Sequence, residues 1–182
     1  MQERWVLYQH ILTVNMGTLF ASPAFIQMYV KLGIENHIPV MMPGGHDILI
    51  QQQTHFTDAQ IQQIRGIGKI LWNVGLPVLD DLHNFSYGWN VPDDLKNDDK
   101  KLQAWRTQKY IESIKSLKPG ITMMIMHCTA TTEVFPYISD SGPVRRGDML
   151  AMMDPSFKKA LVDEHIILTT WRELMERRKK VQ

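Results

Sequence analysis

Apolar residues along the chain form two alternating patterns, short continuous runs and longer segments with one apolar face. The runs predict five strands, at residues 5–14, 40–42, 76–82, 121–126 and 165–171. The segments between the runs repeat apolar residues at intervals of three and four, which is typical of amphipathic helices. About five β/α units follow from this alternation, so we expect an α/β fold with a mainly parallel sheet covered by helices.

The number of units limits the architecture. A closed barrel of eight β/α units takes about 250 residues, whereas this chain has 182. We therefore expect a single domain over residues 1–182, built as a small open sheet or as part of a barrel. In either architecture, ligand chemistry lies at the C-terminal ends of the strands.

Helix boundaries can be predicted at several positions. Ser22-Pro23 has the pattern of an N-cap followed by proline at the first helical position. Thr57 and Gln60 have the spacing of a capping box. Pro119-Gly120 ends a long helix, whose apolar residues we expect to face inward: Leu102, Trp105, Ile111, Ile114 and Leu117.

Composition narrows the classes of function. A formal net charge of +1 gives no electrostatic reason to expect binding to nucleic acid or to an anionic membrane. The apolar runs are far shorter than the roughly 20 residues of a membrane span, and residues 1–14 lack the pattern of a signal peptide. The single cysteine excludes an internal disulfide and fits a reducing compartment, so we expect a cytoplasmic protein.

His127 is the first candidate for chemistry. It directly follows the apolar run at 121–126, at the predicted C-terminal end of a strand. An imidazole there can orient a substrate or act as a general acid, and the alternative is a structural histidine bonded to its own loop. Cys128 beside it is a weaker candidate for a nucleophile, because no feature of the sequence would lower the pKa of its thiol.

Two carboxylates, Asp80 and Asp81, end another predicted strand. They could serve acid–base chemistry or a metal, and they could equally cap the following loop. Among the seven histidines, His46 and His83 are the plausible additional metal ligands. No H-x-x-H, H-E-x-x-H or paired-cysteine spacing occurs, so spacing alone predicts no zinc site.

Arg145 lies in the segment SGPVRRGDM, after a Gly-Pro turn. Its forked guanidinium could bind a carboxylate or sugar hydroxyls. The alternative is a structural ion pair with Asp148 or Asp154. In the same segment, Gly147-Asp148 is interpreted as the N-cap of a helix.

Four stretches of the chain form a recognisable series: NMGTLFASPAFIQMYVKLGIENHIPVMMP, GLPVLDD, LKPGITMMIMHC and SGPVRRGDMLAMMDPSFKKALVDEHIILTTWREL. In this order they resemble the YdjC-like carbohydrate deacetylases. The resemblance covers nearly the whole chain from about residue 10 onward. The most specific parts are HIILTTWREL and the loop of the type PxRxGD.

This resemblance implies a deformed (β/α) barrel, a divalent metal (zinc or magnesium) and hydrolysis of an N-acetyl group on a sugar. It implies that His127 matches the histidine that assists the leaving amine, and that Arg145 matches an arginine that binds or orients the substrate. Asp148 and Trp171 match neighbouring positions of the family pattern. We accordingly assign Arg145, Trp171 and the Asp80–Asp81 pair to substrate binding.

The sequence departs from the family at its metal site. The family's paired-aspartate DDFG-like motif and its G-x-H motif have no counterpart in this chain. Where the family has T-H-x-D-S-H-M-G-T, Asn15 replaces the ligating histidine and Thr13 replaces the aspartate. An amide oxygen is a poor substitute for imidazole on zinc, so we expect these two positions to be a degenerate metal site and expect no metal cofactor for this chain.

These departures from the family pattern lead to two expectations for the kind of protein. It corresponds to the C-terminal part of a longer deacetylase or to a degenerate paralogue, with weak or no activity as this chain alone. Loss of the first strands would leave an open sheet edge, through which the chain could form a homo-oligomer. The alternatives are a non-catalytic carbohydrate-binding protein, in which Tyr87, Trp89 and Trp171 stack on sugar rings, and an oligomeric scaffold.

Overall fold

The computed structural model describes residues 22–54, 56–130 and 132–181. In this part of the chain the helices are α1 (Pro23–Glu35), α2 (Ile48–Gln53), α3 (Asp58–Asn73), α4 (Asp99–Ser116), α5 (Gly142–Met153), α6 (Pro155–Asp163) and α7 (Trp171–Lys179). Two short strands, β1 (Asp81–His83) and β2 (Thr122–Met124), form a parallel pair. The described chain is therefore a mixed structure of helices with a small parallel sheet. None of these helices is long and apolar enough to span a membrane.

The predicted strands are only partly present. The run at 76–82 contributes β1 at its end, and the run at 121–126 contains β2. The run at 40–42 precedes a parallel bridge between Pro43 and Leu79. The predicted strand at 5–14 lies outside the described residues.

The prediction of a strand at 165–171 is wrong. Its end is used as a helix start, because Thr170 and Glu173 form a capping box that begins α7. Its apolar residues Ile167 and Leu168 are 79% and 76% exposed, so they do not occupy a sheet interior.

The described residues divide into two compact units. Unit 1 contains residues 22–54, 56–82, 120–122 and 169–181, and unit 2 contains residues 83–119, 123–130 and 132–168. Both strands pass from unit 1 into unit 2, since β1 crosses the division after residue 82 and β2 crosses it after residue 122. The expectation of a single domain stays a prediction.

Unit 1 is built from α1, α3 and α7 around an apolar cluster. The capping box of Thr57 and Gln60 begins α3 as predicted, and Ile61 and Leu71 on its apolar face are buried. Pro23 begins α1 as predicted, although the Ser22 side chain makes no capping hydrogen bond. The buried members of the cluster are Tyr29, Val40, Met42, Leu71 and Leu76.

Unit 2 is built from α4, α5 and α6. Leu102 and Ile114 of α4 are buried as predicted. The same helix face also carries polar residues inward, because Arg106, Thr107 and Tyr110 are 0%, 2% and 0% exposed. A charged side chain in this position requires a charged partner.

That partner is Asp148, which corrects a sequence interpretation. Helix α5 begins at Gly142, so Asp148 lies within the helix and is not an N-cap. The helix accommodates Pro143 because proline is tolerated in the first turn. Glycine is favoured at position 147 because α4 packs closely there. A Cβ on Gly147 would lie 3.3 Å from side-chain atoms of Leu102 and Arg106.

Candidate functional site around His127

His127 follows β2 in unit 2 and is held at both its backbone and its ring. Its backbone N–H donates a 2.9 Å hydrogen bond to Asp148 Oδ2. Its Nε2 lies 2.6 Å from Tyr87 Oη, and the two ring centroids are 4.7 Å apart. The ring is half-buried, so the imidazole is oriented and still accessible.

Tyr87 belongs to a short 3₁₀ turn, Phe85–Gly88, which is fastened to the neighbouring backbone. Buried Ser86 donates from its Oγ to Ile125 O at 2.9 Å, and its own carbonyl accepts from Arg106 Nη2 at 3.0 Å. These bonds fix the turn next to the residues that lead to His127. The Tyr87 side chain is 54% exposed, so one face of its ring is available to a ligand.

Asp148 is the centre of a buried polar network. Its Oδ1 accepts hydrogen bonds from Arg106 Nε at 2.8 Å and from Tyr110 Oη at 2.6 Å, and Arg106 Nη2 lies 2.7 Å from the same oxygen as an ion pair. Burial, and then the hydrogen bond to Asp148, raises the pKa of Tyr110. With His127 N–H on Oδ2, this carboxylate accepts three hydrogen bonds and anchors the segment after β2 to α5.

Arg145 lies in the same pocket. Its Nε donates to Ser141 Oγ at 2.8 Å, and its backbone carbonyl accepts from Thr129 N–H at 3.3 Å. The pocket has a volume of about 80 Å³ and is lined by Tyr87, His127, Ser141, Val144 and Arg145, among others. The predicted structural pairing of Arg145 with Asp148 does not form, since Asp148 pairs with Arg106.

The charges around His127 act in opposite directions. Partial burial lowers the pKa of the imidazole, the Arg145 cation lowers it further, and the Asp148 carboxylate opposes both. The ring is therefore neutral near pH 7, with one nitrogen as donor and one as acceptor. Tyr87 can donate to Nε2 or accept from it, depending on the tautomer.

Cys128 does not have the environment of a nucleophile. Partial burial, and then the nearby Asp148 carboxylate, raises the pKa of its thiol. A thiol with a raised pKa holds its proton at neutral pH and is a poor nucleophile. Cys128 is therefore not part of the candidate site.

Asp80 and Asp81 lie in unit 1, where backbone groups occupy their carboxylates. Asp81 is fully buried and accepts from the N–H groups of Leu49, Ile50 and Leu82. Asp80 accepts from Ile121 N–H at 2.7 Å. The capping alternative describes these contacts, and the assignment of both residues to substrate binding stays a prediction.

The aromatic residues proposed to stack on sugars differ in their surroundings. Trp89 is half-buried in unit 2, with its ring centroid 4.9 Å from Arg106 Cζ and 5.0 Å from the ring centroid of Tyr110. Trp171 is the first residue of α7 in unit 1 and is half-buried. Only Tyr87 combines an exposed ring with a position next to His127.

A second polar cluster lies in unit 1 around the loop before α2. His46 Nδ1 is 3.1 Å from Asp81 Oδ2, and Arg65 Nε is 3.1 Å from Asp47 Oδ2. Asp47 is fully buried, and burial raises the pKa of its carboxyl, although Arg65 opposes this. Asp47 Oδ1 and His46 Nε2 are buried and have no hydrogen-bond partner among the described residues.

These atoms do not amount to a metal centre. Zinc sites in proteins use three or four converging side-chain ligands, and the described residues contain no group of three His, Cys, Asp or Glu side chains that could hold a metal ion. The positions assigned to the degenerate metal site, Thr13 and Asn15, lie outside the described residues. The described residues thus do not fit a catalytic metal, and the expectation of no metal cofactor stays a prediction.

Comparison with known proteins places this geometry in a family. The sequence model of the family described as "YdjC-like protein" matches residues 12–163, which include His127, Arg145 and Asp148. A search of curated proteins finds no match.

Proposed function

The chain belongs to the YdjC-like family, a carbohydrate deacetylase-related family, and on that premise we propose that unit 2 binds an N-acetylated amino sugar in the pocket beside His127. In this proposal His127 transfers a proton during hydrolysis of the N-acetyl group, and the isolated chain is a weak catalyst. The observation that carries the proposal is the convergence of His127, Tyr87 and Arg145 in one pocket.

The chemistry of amide hydrolysis defines the role of the imidazole. Water adds to the acetyl carbonyl carbon, the C–N bond breaks, and the leaving nitrogen must gain a proton to depart as an amine. A neutral imidazole with a lowered pKa can accept a proton and pass it on at neutral pH. The hydrogen bond from its backbone N–H to Asp148 fixes the position of His127, and the contact of Nε2 with the Tyr87 hydroxyl orients the ring.

The remaining pocket residues supply recognition. The exposed ring of Tyr87 offers an apolar face to a sugar ring. Arg145 orients the substrate through its guanidinium. Asp80, Asp81 and Trp171 belong to unit 1 and stay proposed substrate-binding residues of that unit. The architecture that goes with the proposal is a partial or deformed (β/α) barrel, in the cytoplasm.

Deacetylases of this kind are metal-dependent. The described residues provide no set of ligands for such an ion, so no step of the proposal passes through a metal. This observation supports a second candidate function, a non-catalytic carbohydrate-binding protein with the same pocket. Both candidates need Tyr87 for the sugar, whereas only the first needs His127 as a proton carrier and releases acetate.

An acetate-release assay with N-acetylglucosamine and diacetylchitobiose separates these candidates. We expect slow release by the chain, and loss of release in His127→Gln with sugar binding retained. His165→Asn is the matched control, because His165 is an exposed histidine of unit 2 with φ of 56°, a conformation that asparagine tolerates. Sugar binding without acetate release, with or without added zinc or magnesium, would favour the binding protein. Absence of both would refute both.

A further inference from the structure

The charge in the pocket points to a narrower class of ligand. We propose that the pocket beside His127 binds a carboxylate through Arg145, so that the sugar recognised by this chain is an acidic amino sugar. The sugar part of this inference rests on the proposed function, whereas the carboxylate part rests on contacts within unit 2.

Arg145 forms no ion pair with any carboxylate among the described residues. Its Nε is bonded to the Ser141 hydroxyl, and among the described residues no carboxylate oxygen lies within the 4.0 Å of an ion pair. The guanidinium nitrogens Nη1 and Nη2 have no hydrogen bond among the described residues. A half-buried guanidinium without a counter-charge is a site of positive potential.

The positive charge of the neighbouring Arg146, by contrast, is balanced by a carboxylate. Arg146 forms an ion pair with Asp99 of α4, also in unit 2. Both arginines lie near the N-terminus of α5, where the helix dipole disfavours cations, and the first turn of this helix contains no acidic residue. Arg146 therefore has a counter-charge among the described residues, whereas Arg145 has only the Ser141 hydroxyl and the Phe135 ring, whose centroid lies 5.9 Å from its Cζ.

Asp148 does not supply the missing charge. Its Oδ1 is shared by two nitrogens of Arg106 and by the Tyr110 hydroxyl, and its Oδ2 accepts from the His127 backbone. The buried Arg106–Asp148 pair is neutral as a unit, so the net charge at the pocket is that of Arg145.

The shape of the pocket favours a carboxylate over a larger anion. A volume of about 80 Å³ accommodates a small substituent. The planar fork of a guanidinium matches the two oxygens of a carboxylate. The Tyr87 hydroxyl and the Ser141 hydroxyl are uncharged groups of the same pocket, so one negative charge on the ligand would balance Arg145.

Binding of matched sugars tests this inference without requiring catalysis. The probes are N-acetylmuramic acid, which carries a lactyl carboxylate, and its carboxamide, which has nearly the same size without the charge. Titration calorimetry of the full chain at low salt should show at least about tenfold tighter binding of the acid, a difference of about 1.4 kcal/mol. Arg145→Gln should abolish the preference, and Arg145→Lys should retain part of it.

Arg146→Gln is the matched control, because it removes an adjacent cation that already has a partner. Circular dichroism melts of each variant check that the fold is kept. Equal affinity for the two sugars, no binding of either, or an equal effect of Arg146→Gln would overturn the inference. Tighter binding of inorganic phosphate than of the acid would also overturn the inference. So would displacement of the acid by acetate at a similar concentration, because the pocket would then be a site for the acetate that deacetylation releases. Failure of acetate release with the preference intact would instead remove only the proposed function.

Discussion

The buried pair of Arg106 and Asp148 leads to a prediction about unit 2. The two side chains are 0% and 2% exposed, and the carboxylate accepts three hydrogen bonds, from Arg106 Nε, Tyr110 Oη and the His127 backbone. In Asp148→Asn one oxygen becomes an NH₂ group. That group must face either the backbone N–H of His127 or the donors of Arg106 and Tyr110, so at least one buried donor meets another donor.

The expected cost follows from the loss of the charge. Breaking a buried pair by neutralising one partner costs about 3–5 kcal/mol, because the remaining ion is buried without compensation. Whole domains are stable by about 5–15 kcal/mol, so Asp148→Asn should bring unit 2 close to unfolding at room temperature. Asp163→Asn is the control, since its ion pair with Lys159 is 54% and 74% exposed and should contribute less than about 1 kcal/mol.

A double-mutant cycle with Arg106→Met makes the prediction quantitative. Removing both charges leaves no unpaired ion, so the double variant should be more stable than the sum of the single changes predicts, by at least about 2 kcal/mol. Urea unfolding followed by tryptophan fluorescence measures this, and the Trp89 ring next to Arg106 gives a local signal. Additivity within about 0.5 kcal/mol, or a single-variant cost as small as that of Asp163→Asn, would refute the account of the network.

Three further outcomes are expected. In an NMR titration the pKa of His127 should lie below the usual histidine value. The contribution of this residue to stability is then complete above that usual pKa and declines as the pH falls towards the folded-state pKa. Arg145→Gln should raise the pKa of His127 and Arg146→Gln should leave it nearly unchanged, so equal effects would contradict the role given to Arg145. Gly45→Ala places a Cβ 2.5 Å from a backbone Cα atom and should destabilise unit 1 by about 1–3 kcal/mol, whereas Gly66→Ala, with nothing within 4 Å, should be neutral or stabilising in thermal melts. If the chain forms a homo-oligomer through a sheet edge, its sedimentation coefficient should rise with concentration, and a constant monomer value would contradict that prediction.

The helices of this chain could be predicted from sequence because their signals are local. The capping box of Thr57 and Gln60, and proline at Pro23 and Pro155, each depend on residues within one turn, and the structure has helices beginning at these places. The prediction of a strand at 165–171 failed because a strand does not depend on local signals alone. An apolar run becomes a strand only when a partner strand covers it, and here the run ends in the cap of α7.

The site could be predicted only in part for the same reason. The end of an apolar run indicated His127, and the family pattern indicated Arg145. The contact of Tyr87 with His127 joins residues 40 positions apart, which no short spacing encodes. One signal for the network was present: Arg106 lies at helical spacing between Leu102 and Tyr110, so a charge occupied an otherwise apolar face and required a buried partner.

Burial and the charges on α5 together lower the pKa of His127 although a carboxylate lies beside it. Burial makes the largest contribution, and the Arg145 cation adds to it. Arg145 and Asp148 are three residues apart, so both lie on the side of the helix that approaches His127. The Asp148 charge opposes the lowering, but it is paired with Arg106, whereas the Arg145 charge has no carboxylate partner among the described residues. A carboxylate bound to Arg145 would offset this cation and raise the pKa of His127. The ligand proposed for the pocket would therefore favour the protonated form of the residue proposed to deliver a proton.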